Sequence, residues 1–137
     1  MTQTRIYIPL NAAGVRRLAS ERQLGDSQVH AFAVTGRVER ADPTGDEETW
    51  EYAALTEAVE AAGLLRPGHG KRVVAAADVD PTWVQESGDT AAAVLVQSAV
   101  PLSRVVSFHV DESADDEGMD DLLWYDATEL EELLSLL

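Results

Sequence analysis

The chain is predicted to be a single-domain α/β protein, with α+β as the alternative arrangement. The expected core is a single mixed β-sheet of about five or six strands carrying two or three packed helices, one of them C-terminal. Three observations lead there. Segments of period-two apolar alternation are interleaved with segments of helical period. Residues 72–79, RVVAAADV, are apolar on both faces, as a strand covered on each side must be. The 137 residues are 45% hydrophobic and 26% charged, which supplies one packed core and is too apolar for a disordered acidic chain.

Residues 5–9 alternate around Ile6 and Ile8 and form a first strand. Asn11 caps a helix over residues 12–24 in which Val15, Leu18 and Ala19 share a face, and Gly25 ends it. VHAFAVT at 29–35 is a second strand, and the polar GRVERADPTG after it, punctuated by Pro43 and Gly45, is a loop. Asp46, Glu47 and Glu48 suit the positive end of a second helix, with Tyr52, Leu55, Val59 and Ala62 as its core stripe. It stops at Gly63 or in the loop RPGHGK, and residues 72–79 follow as a central strand.

Residues 91–98 and 104–111 are two further strands, joined by a link containing Pro101 and read as a β-hairpin. In the second, Val106, Phe108 and Val110 point one way and Ser107, His109 and Asp111 the other, predicting one wet face. Seven of the eleven residues from Asp111 to Asp121 are acidic and none is basic, which predicts a mobile acidic loop over 111–121 within the one domain 1–137. The terminal LLWYDATELEELLSLL reads as a short apolar run and then a helix. Asp126 is its N-cap, Glu129 completes a capping box, and Leu130, Leu133, Leu134 and Leu137 share one face.

Composition removes several functions. With 25 acidic against 10 basic residues the formal charge is -15, and Lys71 is the sole lysine. Such a field repels polyanions, and the arginines form no patch, so direct binding to nucleic acid or to a membrane surface is not expected. The absence of cysteine removes thiolate nucleophiles and cysteine-ligated metal. MTQTRIYIPL has no apolar signal region, so a cytoplasmic location is the expectation.

The segments RIYIPL, HAFAVT, EYAALTEA, RVVAAADVD, VPLSRVVSFHVDE and LLWYDATELEELL together touch nearly every element. In this combination the chain resembles a small uncharacterised protein family of high-GC Gram-positive, actinobacterial, bacteria. The resemblance implies no assigned activity and no catalytic positions.

Candidate chemistry is sparse. GHGK at 68–71 has glycines beside a lysine, but a phosphate loop follows a strand and opens a helix, whereas here a helix precedes and a strand follows. It is read as a turn. Ser107, His109 and Asp111 have the residue types of a hydrolase triad, yet on one strand face their Cβ atoms stand about 6.5 Å apart and point in parallel. His30, His69 and His109 fall in three separate elements and make no zinc pattern. Glu57, Glu60, Gly63 and Leu64 resemble the Nudix hydrolase box in spacing, but Thr56 and Ala61 stand where that box has arginine and glutamate. The 111–121 cluster also fails as an EF-hand, because aligning Gly118 with the turn glycine puts Ser113 first and Trp124 last.

Two arrangements remain. Asp78 and Asp80 close the central strand and Asp111 closes another, so adjacent strand ends would let them converge on Mg²⁺, the one cofactor the residues suggest. Trp50, with Ala54 and Ala61 on a face rotated from the helix stripe, forms a shallow patch with an aromatic anchor suited to binding. The sequence therefore points first to a non-catalytic acidic module, protein-binding or regulatory, whose partner is another protein or a second copy, with no catalytic residues and no cofactor. A Mg²⁺-dependent hydrolase using the strand-end carboxylates is the alternative. Mimicry of nucleic acid by a carboxylate stripe ranks third.

Overall fold

The computed structural model describes residues 2–66 and 70–137. Strand β1 (Thr4–Leu10) buries Ile6, Ile8 and Leu10 on one face and Tyr7 on the other. Helix α1 (Ala12–Glu21) starts where the Asn11 side chain accepts a hydrogen bond from the Gly14 N–H at 2.8 Å. It ends at Glu21 rather than residue 24, because Arg22 takes a left-handed conformation (φ 63°) and Gln23–Leu24 leaves as the short strand β2. Strand β3 (Val29–Ala33) follows.

The stretch read as a loop contains helix α2 (Gly36–Ala41), capped by the Thr35 hydroxyl, which accepts from the Val38 N–H at 3.2 Å. One buried side chain, Val38, anchors it, too little to register as periodicity. Helix α3 (Glu47–Leu65) starts beside the acids expected at its positive end, and Asp46 caps it by accepting from the Thr49 N–H at 2.9 Å. Its core stripe is rotated from the one predicted. Ala54, Ala58, Val59 and Ala62 are buried, whereas Tyr52 is 56% exposed. The helix seats on Tyr7, Val74 and Ala76 of the sheet, and small side chains on both surfaces allow a close approach that a tyrosine would block.

Residues 68 and 69 of the GHGK turn, His69 among them, lie outside the described residues; α3 precedes the turn and a strand follows it. That strand, β4 (Val73–Val79), is buried on both faces as predicted. A 3-10 turn at Pro81–Trp83 leads to β5 (Val84–Glu86), β6 (Ala93–Val96) and β7 (Val100–Pro101). Another at Leu102–Arg104 leads to β8 (Val105–Asp111) and β9 (Leu122–Asp126). The capping box of Asp126 and Glu129 closes on a 3-10 turn, Ala127–Glu129, that opens into helix α4 (Leu130–Ser135).

The sheet realises the expected class in its α+β form. Among the described residues it has seven strands in the order β5-β6-β3-β1-β4-β8-β9, every ladder is antiparallel, and β2 pairs with β7 in a separate two-stranded sheet. Strands β3 and β4, joined through α2 and α3, flank β1 and so run the same way without touching. The hairpin predicted from residues 91–98 and 104–111 does not form. Strands β6 and β8 are separated by β3, β1 and β4, and the link between them crosses the sheet through β7. The adjacent pairs are instead β5 with β6 and β8 with β9.

Helices cover both faces. On one, Val15 and Leu18 of α1 and Leu130 and Leu133 of α4 pack with Ile6, Ala75, Ala77, Val79 and Phe108 of the sheet. The leucine face of α4 thus docks on its own sheet. On the other, α3 and Val38 of α2 cover Tyr7, Val74 and Ala76. The wet face predicted for β8 is largely dry, with Ser107 and Asp111 only 3% and 1% exposed. A register shift between Ala76 and Ala77 lets Val106 bulge outward, so it does not share the inward face with Phe108 and Val110. No helix among the described residues is long and apolar enough to cross a membrane.

Candidate functional site

The three carboxylates considered for Mg²⁺ are not brought together. Strand β4 is antiparallel to β8 with Val73 opposite Val110, so Asp111 lies at the start of β4 and Asp78 near its end. Six residues of extended chain separate those levels, about 20 Å. Each acid is engaged locally. Asp78 accepts two hydrogen bonds from Arg5, Nε at 2.6 Å and Nη2 at 3.1 Å. Asp80 caps the turn after β4 by accepting from the Thr82 N–H and hydroxyl, which hold its carboxyl below the usual range. Among the described residues no group of three or more histidine, aspartate or glutamate side chains could hold a metal ion.

Asp111 belongs to a buried ion pair. It accepts from the Arg72 N–H at 2.6 Å and from Arg72 Nη2 at 2.8 Å, with Arg66 at 3.6 Å, and Arg72 is itself only 7% exposed. The same arginines reach into the acidic segment after β8: Arg72 Nη2 donates to the Gly118 carbonyl and Arg66 Nη1 to that of Asp116. The Asp115 N–H donates to the Gly70 carbonyl at 2.9 Å. The segment predicted to be mobile is thus tethered to the start of β4 at several points.

On the α3 face, the small side chain of Ala76 lets two rings meet across β4. Tyr7 from β1 and His109 from β8 pack edge to face with centroids 6.4 Å apart. Burial, and then the Arg5 guanidinium, push the His109 pKa down, so the ring is neutral near pH 7. Burial and the Glu51 carboxylate push the Tyr7 phenol up. Beside them Glu39, Glu47, Glu51 and Asp78 line an open cleft of about 600 Å³ with Arg5. Ser107 is buried opposite Ala76, two pairs along from His109 opposite Val74, and the third residue of the considered triad, Asp111, is turned onto Arg72. Glu57, the box-like glutamate of α3, accepts from the Ala92 N–H at 3.2 Å and ties the loop after β5 to the helix.

Trp50 does not present the open patch expected of it. Its Nε1 donates to the Asp42 carbonyl at 3.0 Å, and it lines a small cavity of about 240 Å³ with Val38, Ala53 and Ala91. Ala54 is fully buried against the sheet and Ala61 is partly buried. The three residues therefore face different surroundings, because helix α2 covers the side of α3 that the sequence left bare.

The surface missed by sequence reasoning is β9. It ends the strand order, so one of its two backbone edges pairs with no further strand among the described residues. Tyr125 packs into the α1/α4 core and Leu122 onto the α3 cluster, while Leu123 is 37% and Trp124 59% exposed. The apolar run LLWY was visible in the sequence. That no further strand among the described residues pairs beyond it is a property of strand order, for which no local signal exists.

Residues 4–134 match the model of a family of unknown function (DUF6912), and the chain belongs to that family. No curated protein and no solved structure matches it.

Proposed function

We propose that this member of a family of unknown function is a non-catalytic protein-binding module that accepts an extended segment of a partner along the free edge of β9. The observation that carries the reading is Trp124, 59% exposed in the middle of a terminal strand. Half of an edge strand's N–H and C=O groups point away from its sheet and can pair with an added strand, while exposed side chains on alternate faces supply grip. The other edge is poorer. Strand β5 has three residues, and its Glu86 is engaged by Arg37 at 3.4 Å. The side chains with catalytic potential favour a structural role, since Asp78, Asp111 and Glu57 are each satisfied by partners within the fold.

The test is an amide titration of isotope-labelled protein with extended peptides of alternating valine and threonine. Shift changes and slowed hydrogen exchange at residues 122–126, lost in Trp124→Lys, are the expected outcome. Changes centred instead on Glu47 and Glu51 would overturn the reading.

A further inference from the structure

The β9 edge is framed by acids, and this framing selects its occupant. Exposed Asp120 and Asp121 precede the strand, with Glu117 just before them. Asp126 closes it, and exposed Glu132 follows on α4, whose Glu131 lines a cleft with Ala19, Arg22 and Leu102 instead. Asp126 stays ionised, because the hydroxyl and N–H of Thr128 donate to it at 2.6 and 2.9 Å. Between these clusters lie four residues without charge, Leu122, Leu123, Trp124 and Tyr125. Arg66 and Arg72 are turned inward onto Asp111 and the carbonyls of Asp116 and Gly118.

Resting on the reading of β9 as an open edge, we infer that its occupant is a strand of a different, basic protein, apolar at alternate positions and carrying lysine or arginine at both ends. A second copy of this chain fits badly. Antiparallel self-pairing centred on Trp124 sets Leu122 opposite Asp126 and brings Asp120, the diagonal neighbour on the same face, toward that carboxylate, twice over by symmetry. Like charges so placed repel, and each copy adds a net charge of -15. A cationic strand in the same place meets an opposite charge at each end, so one arrangement of acids both attracts that partner and keeps the exposed edges of two copies apart.

The experiment compares two synthetic peptides, Lys-Lys-Thr-Val-Thr-Val-Thr-Lys-Lys and its counterpart with glutamate in place of lysine, by amide titration and fluorescence of the intact protein. The lysine-ended peptide is expected to bind at residues 122–126 and to weaken about tenfold when the Debye length falls from about 10 Å to about 3 Å. Asp120→Asn/Asp121→Asn, at two exposed positions, is expected to reduce that salt dependence while leaving the fold intact. Equal binding of both peptides at β9 overturns the charge selection but leaves the open edge standing. Concentration-dependent dimerisation that protects residues 122–126 overturns it in favour of a second copy. If neither peptide touches β9, the reading of the edge itself falls.

Discussion

Replacing Asp111 by alanine removes the acceptor for the Arg72 N–H, Nε and Nη2 at a site where the carboxylate is 1% and the arginine 7% exposed. The guanidinium would keep the Gly118 carbonyl but lose its counter-charge, and its burial would no longer be compensated. Breaking one side of a buried pair costs about 3–5 kcal/mol. At roughly 4 °C per kcal/mol for a domain of this size, the midpoint of thermal unfolding should fall by about 12–20 °C. Far-ultraviolet circular dichroism on heating reads the shift, and a urea titration reads the free energy directly. Arg72→Met/Asp111→Leu, which removes both charges and keeps apolar volume, should recover most of the loss. A loss in Asp111→Ala below about 1 kcal/mol, the worth of an exposed pair, would refute the argument. So would a double variant no more stable than the single one.

Two further predictions concern protons. His109 is held neutral by burial, then by Arg5, with its pKa below the ordinary 6.5. Its contribution to stability is present above 6.5 and is lost as pH falls through the depressed folded value. A ring-proton titration should show a midpoint below 6.5 that moves up in Arg5→Gln, and a midpoint at or above 6.5 would contradict the packing of His109 on Tyr7. Three capping aspartates act in a more acidic window. The N–H and hydroxyl of Thr49 lower Asp46, those of Thr82 lower Asp80, and the Thr128 hydroxyl and then its N–H lower Asp126, all from 3.8. Their contribution is present above that value and lost as pH falls through the lower folded values. Asp46→Asn/Asp80→Asn/Asp126→Asn keeps three capping acceptors without charge, so its stability should fall less steeply in acid than that of the parent. Equal slopes would show that these carboxylates are no better solvated by the fold than by water.

The helix ends were legible because capping acts within three residues. Asn11 and Asp126 each accept from the neighbouring N–H groups that their positions imply, and Asp46, read only as an acid suited to the positive end of a helix, caps α3 in the same way. The central strand was legible because RVVAAADV has no polar face to turn outward. Helix α2 was not, since one buried valine makes no pattern. The stripe of α3 was misassigned because hydrophobicity alone ranks Tyr52 above Ala54 and Ala58, whereas close packing against Ala76 ranks them the other way.

The residue order alone therefore determined that helices pack on a sheet, several of the element ends, the anionic character of the chain and the absence of cysteine chemistry. Tertiary structure alone decided which strands are neighbours. That placed Asp78 and Asp111 at opposite ends of β4, dissolved the hairpin between β6 and β8, and left Trp124 on an outer strand. Caps and periodicity are local energies written into a few adjacent residues. Backbone groups, by contrast, pair equally well with any strand of suitable length, so strand order is chosen by the joint burial of both sheet faces beneath the helices.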